Sequence, residues 1–176
     1  MKLRWNVTKG LKRFMMPLTL VATVIVLVGC QSALLTYKGA RLQQGAVIPV
    51  LEGTVHADQF VAPDVVIDYK YTRNGDSLDL SGTAQFAPSI QNNFSTVPRF
   101  YMRVYVADAQ GAILGYHGIV TSGYGYSDDH MRFHQRMALP PGTALMAFGY
   151  SGDARSTGDD DGGGGDTPFW FEPVVR

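Results

Sequence analysis

The chain has 176 residues, 45% of them hydrophobic, with 15 basic and 15 acidic side chains. This length fits one domain with a self-supporting hydrophobic core. Its single cysteine excludes an internal disulfide, so packing must hold the fold together. The balanced charge excludes the strong basic excess that is typical of a nucleic-acid-binding domain.

The start of the chain has the layout of a secretory signal peptide. Five basic residues lie between positions 2 and 13, and an uncharged stretch then runs from Phe14 to Val28. The stretch is short for a membrane-spanning helix, which needs roughly 20 apolar residues. The polar pair Gln31-Ser32 follows where a stop-transfer segment would carry basic residues. We therefore expect residues 1–29 to be removed.

The apolar stretch ends in Leu27-Val28-Gly29-Cys30, which resembles the lipobox of bacterial lipoproteins. Over these thirty residues the resemblance implies cleavage before Cys30, a diacylglycerol on its sulfur and an acyl chain on its new amino group. Gln31, standing where an aspartate would favour the inner membrane, implies an outer-membrane lipoprotein. Such lipids hold a protein on a bilayer without a spanning helix.

Cleavage changes the charge of the chain. Residues 30–176 keep 10 of the 15 basic side chains and all 15 acidic ones, which gives a net charge of −5. This acidic balance offers no electrostatic footprint for nucleic acid or for anionic lipid head groups. We therefore expect no nucleic-acid partner, and contact with the membrane through the lipid alone.

After the cysteine, residues 30–45 show no sustained period and are interpreted as a lipidated tether. Residues 46–176 have the two-residue period of β-strands. In 65–72, for example, Val65, Ile67, Tyr69 and Tyr71 occupy alternate positions. Asn74-Gly75 suits a tight turn before Leu78 and Leu80, so this segment predicts a hairpin.

The same period predicts further strands. After a loop at 87–98, Phe100, Met102, Val104 and Val106 face the core, while Tyr101, Arg103 and Tyr105 cover the outer face. A turn at 108–111 leads into the strand 112–121. A third hairpin joins 131–137 to 144–150 through Pro140-Pro141-Gly142, and a last strand runs from Phe169 to Val175.

About eight or nine short strands at hairpin spacing, with no helical stripe after residue 30, predict an all-β protein. The polar outer faces favour an antiparallel β-sandwich, with a general layout like that of immunoglobulin or fibronectin type III domains. The expected organisation is a signal peptide at 1–29, a tether at 30–45 and one sandwich domain at 46–176. Fold alone assigns no function.

Two groups of residues are weak alternatives for metal binding, although we expect no metal site. His130 and His134 lie on one face of a strand but about 13 Å apart, too far to share an ion. His117 on the preceding strand is a possible cross-strand partner of His134.

The Gly/Asp-rich run 158–166 offers four carboxylates to calcium, but without the spacing of an EF-hand, so a solvated loop is the preferred interpretation. These carboxylates belong to Asp159, Asp160, Asp161 and Asp166.

Aromatic side chains give the best candidates for a partner contact. Trp170 should point outward if Phe169 and Phe171 point inward, and Tyr124 and Tyr126 lie in a Gly-Tyr-Gly-Tyr loop. Tyrosine and tryptophan provide large amphipathic contact areas. These three residues are the predicted contact with an envelope protein.

The sequence has none of the motifs that identify a reaction, and an assembled triad would leave no such motif. Two functions remain open. The first is a non-enzymatic, lipid-anchored binding or adaptor module. The second is a periplasmic ligand-binding or hydrolytic protein with its site in the loops at one end of the sandwich.

Overall fold

A computed structural model describes residues 37, 39–122, 125–156 and 165–176 of the chain. Within them are a 3-10 turn at Gln44–Ala46, one short helix, α1, at Pro88–Gln91, and twelve strands. The strands are β1 (Arg41–Leu42), β2 (Ile48–Pro49), β3 (His56–Val61), β4 (Val65–Asn74), β5 (Ser77–Phe86), β6 (Thr96–Ala107), β7 (Ile113–Ser122), β8 (Gly125–Tyr126), β9 (His130–Ala138), β10 (Leu145–Arg155), β11 (Thr167–Phe171) and β12 (Val174–Val175).

The strands form antiparallel sheets packed as a sandwich. One sheet has the order β3-β4-β5-β9, and the other has the order β11-β10-β6-β7, with β2 beside β10 and β8 beside β6. A separate two-stranded sheet joins β1 to β12. The predicted all-β sandwich is confirmed. There are more strands than predicted because four of the twelve have only two residues, too few to show a period.

The core lies between the two larger sheets. Ile67, Leu78 and Leu80 of the four-stranded sheet are fully buried, as are Phe100 and Phe148 of the six-stranded sheet. Aromatic rings connect the layers. The Phe148 ring lies 5.2 Å from that of Tyr69, and the Phe100 ring lies edge-on to Phe86 at 5.0 Å. Such pairs add to the free energy gained by burial.

The first two predicted hairpins are present. Strand β4 pairs with β5 along its whole length, and Gly75 in the turn has a φ of +60°, a conformation that most side chains avoid. Strand β6 pairs with β7, and Gly111 in their turn has a φ of +81°. The expected loop at 87–98 contains α1, and its last residues already belong to β6.

The third predicted hairpin is wrong. Strand β9 pairs with β5, whereas β10 pairs with β6 in the other sheet. The connection turns at Pro140, whose carbonyl accepts from the Thr143 amide at 3.2 Å, but it crosses from one sheet to the other. Leu139 N–H donates to Asp76 at 2.7 Å, and Ala144 N–H donates to Ala107 at 2.9 Å. Alternation sets which face is buried and does not identify the neighbouring strand.

Tyr105 has the orientation predicted for it, but another segment of the chain covers it. It lies on the outer face of β6, but only 1% of it is exposed. Its hydroxyl donates to Glu172 Oε1 at 3.0 Å, and its ring lies over Gly149, where a Cβ would be 2.8 Å from the ring. The segment between β11 and β12 thus covers this side chain. Alternation within β6 shows on which face a residue lies, but not whether another segment packs on that face.

The compact domain begins at Gly39, before the position expected from the sequence. Ala40 and Leu42 are buried, and Leu42 N–H donates to Gly111 at 2.8 Å. Gln43 N–H donates to Pro173 at 2.9 Å. Residues 40–43, assigned above to the tether, therefore pack on the domain. A strand of two residues is too short to be recognised by its period.

Candidate functional site

Trp170 stands on the outer face of the six-stranded sheet. Phe169 is buried and 67% of Trp170 is exposed, in agreement with the predicted alternation. Trp170 lies opposite Ser151, which lies opposite the exposed Tyr101 on the next strand. Trp170 and Tyr101 are thus two strand spacings, roughly 10 Å, apart with a small side chain between them.

A further exposed ring extends this surface. Tyr116 on β7 lies opposite Tyr105, two residues along β6 from Arg103. The Arg103 guanidinium carbon is 5.9 Å from the centre of the Tyr116 ring, a cation–π distance. We call the surface formed by Trp170, Tyr101, Tyr116 and Arg103 the aromatic face. Only Trp170 of this group was singled out as a partner contact from the sequence.

A depression of about 180 Å³ adjoins Trp170. Its walls carry the hydroxyl of Ser151, the guanidinium of Arg103 and the carboxylate of Glu172, which accepts from Tyr105. Tyrosine, tryptophan and arginine side chains such as those at this depression are enriched in protein interfaces.

The other two predicted contact residues are not part of this face. Tyr124 lies outside the described residues. Tyr126 on β8 is exposed but lies opposite Thr96, five residues from Tyr101 and therefore about 17 Å away along β6. Its amide donates to Asp129 Oδ2 at 2.7 Å, which closes the turn after β8.

The register separates the histidines that were considered as a pair. His117 lies opposite Val104 in the six-stranded sheet, whereas His134 lies opposite Ser81 in the four-stranded sheet. His134 Nε2 is 3.0 Å from Asp79 Oδ1 at the surface. Partial burial lowers the pKa of His117, which indicates a neutral ring near neutral pH.

The residues considered for calcium are mostly outside the described part of the chain. This holds for Asp159, Asp160 and Asp161. Asp166 is described, and its Oδ1 pairs with Arg155 Nη2 at 2.7 Å. Across residues 39–122, 125–156 and 165–176, no three His, Cys, Asp or Glu side chains gather as a metal site would require.

The loops at one end of the sandwich surround an open depression of about 520 Å³, where a loop-based ligand site would lie. Its walls consist mainly of amides and hydroxyls, including Asn92, Asn93 and Ser127, with the carboxylate of Asp128. Among the described residues that line it, Asp128 is the only one with a carboxylate, imidazole or amine side chain.

A cleft of about 260 Å³ opens between β2 and β3, at the side where the edges of the two sheets meet. It contains His56, whose ring stacks on Tyr71 at 5.0 Å, and also Asp58 and Tyr69, which lie opposite each other. Sequence reasoning missed this cleft. The available signal was Asp58, a charged residue at an inward position of an alternating strand.

Comparisons with known proteins found no match: no family model, curated protein or solved structure resembles the chain significantly. In the described part of the chain, no helix has the length and apolar character needed to cross a membrane.

Proposed function

We propose that this protein is a non-enzymatic, lipid-anchored binding module of the cell envelope, which contacts an envelope protein through the aromatic face. The observation that carries the proposal is the exposure of Trp170, Tyr101 and Tyr116 on one side of a regular sheet. Exposed apolar surface of this kind is typical of interaction sites.

The composition of the face supports a protein partner. Trp, Tyr and Arg dominate the residues that carry binding free energy in protein interfaces. Their side chains stand on strands of one hydrogen-bonded sheet, so little backbone entropy is lost when they bind. Arg103 and Glu172 add charges that fix the orientation of a partner.

The lipobox-like ending at Cys30 supports the location. A lipid on Cys30 restricts the domain to a membrane surface, where even a modest affinity for a neighbouring envelope protein suffices. The outer membrane is the proposed location, on the basis of Gln31 after the lipidated cysteine.

Site-specific photocrosslinking in intact cells tests this proposal. A photoreactive phenylalanine analogue replaces Tyr101 in the full chain, and the matched control places it at Arg132, which is exposed on the four-stranded sheet. We expect a discrete protein adduct from position 101 and none from 132. Trp170→Ala should reduce the adduct at position 101 at least about tenfold, because a central tryptophan carries much of the binding free energy. Equal adducts at both positions, or none at 101, would contradict the proposal.

A further inference from the structure

The cleft between β2 and β3 lies apart from the aromatic face and has a different chemistry. Strand β3 is an edge of the four-stranded sheet and β2 runs along the side of the six-stranded sheet, so the cleft leads from solvent toward the core. Its apolar wall is formed by β2 and the residues next to it. The polar groups come from β3 and β4.

Asp58 gives the cleft a negative charge. Its cross-strand partner Tyr69 faces the core, which places Asp58 on the same face of β3, where it is exposed at the edge of the sheet. Its carboxylate accepts the Gln59 amide at 2.8 Å, and no cationic side chain of the described residues pairs with it. Inward charges on edge strands prevent aggregation. That role does not require the second polar group that the cleft contains.

The second group is the hydroxyl of Tyr69. Only 7% of this residue is exposed, and it lines the cleft beside Asp58. Burial, followed by the charge of Asp58 and by Tyr71, raises the pKa of Tyr69 to about 12. The phenol therefore stays protonated and offers its oxygen to a ligand.

We propose that the cleft binds a primary alkylammonium group, supplied either by a small free amine or by a lysine side chain. An ammonium has three N–H donors and no acceptor. Three groups with acceptor oxygens line the cleft: the carboxylate of Asp58 and the hydroxyls of Tyr69 and Tyr71. Tyr71 already donates to Pro49 at 2.6 Å and accepts from Leu51 at 3.2 Å, and one lone pair remains.

The apolar wall of the cleft adds selectivity for an ammonium group on an alkyl chain. Ile48 and Leu51 lie beside the oxygens and suit the alkyl chain that carries the ammonium. The volume of about 260 Å³ admits a small amine or the end of a lysine side chain, and the charge of Asp58 repels carboxylates and phosphates. A quaternary ammonium lacks N–H donors and cannot hydrogen-bond to these oxygens.

The test uses the full chain in a non-ionic detergent and ligand-observed NMR with n-butylammonium. Asp58→Asn should weaken binding at least about fivefold, and Tyr69→Phe about twofold or more. The matched control is Asp68→Asn, since this carboxylate lies on the outward face of the neighbouring strand and accepts from Gln59 at 2.8 Å. It should leave binding unchanged. Melting curves establish that each variant is folded.

The probes separate the possible results. Tetramethylammonium and n-butanol should bind at least about fivefold more weakly than n-butylammonium. A peptide with one lysine that binds more tightly than the free amine identifies a side chain as the natural occupant, and equal affinities identify a small amine. The proposal is overturned if neither amine binds, if n-butanol binds as well, or if Asp58→Asn and Tyr69→Phe both leave the affinity unchanged.

Discussion

The Tyr150 hydroxyl connects the two layers of the sandwich. It donates to Asp64 Oδ2 at 3.1 Å and accepts from the Asp64 amide at 3.2 Å, which ties β10 to the turn between β3 and β4. Tyr150→Phe should lower the free energy of unfolding by about 1–1.5 kcal/mol. Urea unfolding measures the change. Tyr101→Phe removes a hydroxyl oxygen from an exposed ring and should change the free energy of unfolding by less than about 0.5 kcal/mol. Equal losses in the two variants would refute this role.

His117 makes stability depend on pH in a defined direction. Burial lowers its pKa from the usual 6.5, so the unfolded chain takes up a proton before the folded one does. The stability contributed by the neutral ring is present above pH 6.5 and is lost as the pH falls below it. His117→Gln should therefore reduce the loss in unfolding free energy between about pH 7.5 and about pH 5. The control is His130→Gln at an exposed position. A wild-type slope in His117→Gln would contradict the prediction.

Cys30 is the predicted lipidation site, on the basis of the residues before it. Cys30→Ser should abolish labelling by radioactive palmitate and release the chain from membranes, because no thiol remains to accept the diacylglycerol. Ser32→Ala, two residues away, is the control and should be labelled normally. If Cys30→Ser stayed bound to membranes and its mass showed unchanged processing, the N-terminal segment would not be a lipoprotein signal.

At the scale of elements, Gly82 sets the spacing of the four-stranded sheet. It lies in β5 between Tyr69 and Phe133. A Cβ there would collide with the Asp68 carbonyl and would be 2.7 Å from the Phe133 ring. A backbone atom cannot move aside as a flexible side chain can. Gly82→Ala should therefore lower the free energy of unfolding by about 2 kcal/mol or more.

The control for this prediction is Gly118→Ala in β7, where a Cβ meets nothing within 4 Å. It should change the free energy of unfolding by less than about 0.5 kcal/mol, because the added methyl group points into open space at the surface. Denaturant unfolding of both variants makes the comparison. If Gly82→Ala were as stable as Gly118→Ala, the close approach of β4 and β5 would be refuted.

Elements with a strong local signal could be predicted from the sequence. The hairpin at Asn74-Gly75 combines alternation with turn residues, and both signals are local. The strand crossing after Ala138 could not be predicted, since the choice of partner depends on distant residues such as Ser77. The same limit applies to the candidate site. The exposure of Trp170 followed from its neighbours, but the grouping of Trp170 with Tyr101 and Tyr116 depends on a register between four strands.

At the scale of the whole molecule, the two proposed sites depend on different parts of the fold. The aromatic face needs Trp170 and Tyr101 to stay uncovered, and the segment that ends at β12 covers Tyr105 and Gly149 instead. The cleft needs β3 to remain an edge strand. Because the two surfaces share no described residue, a variant in one should leave binding at the other intact.

The beginning of the domain gives the last prediction. Leu42 is buried, its amide donates to Gly111, and β1 pairs with β12, so residues 39–45 fasten the C-terminal end of the chain. A fragment 39–176 should fold without metal or disulfide and melt at least about 5 °C above a fragment 46–176, which loses the burial of a leucine and these hydrogen bonds. Circular dichroism should show a β spectrum for the longer fragment. Leu42→Ala in that fragment should reproduce part of the loss, whereas Gly45→Ala, with open space around its added methyl group, should not. Equal melting temperatures for the two fragments would restore the domain boundary to residue 46.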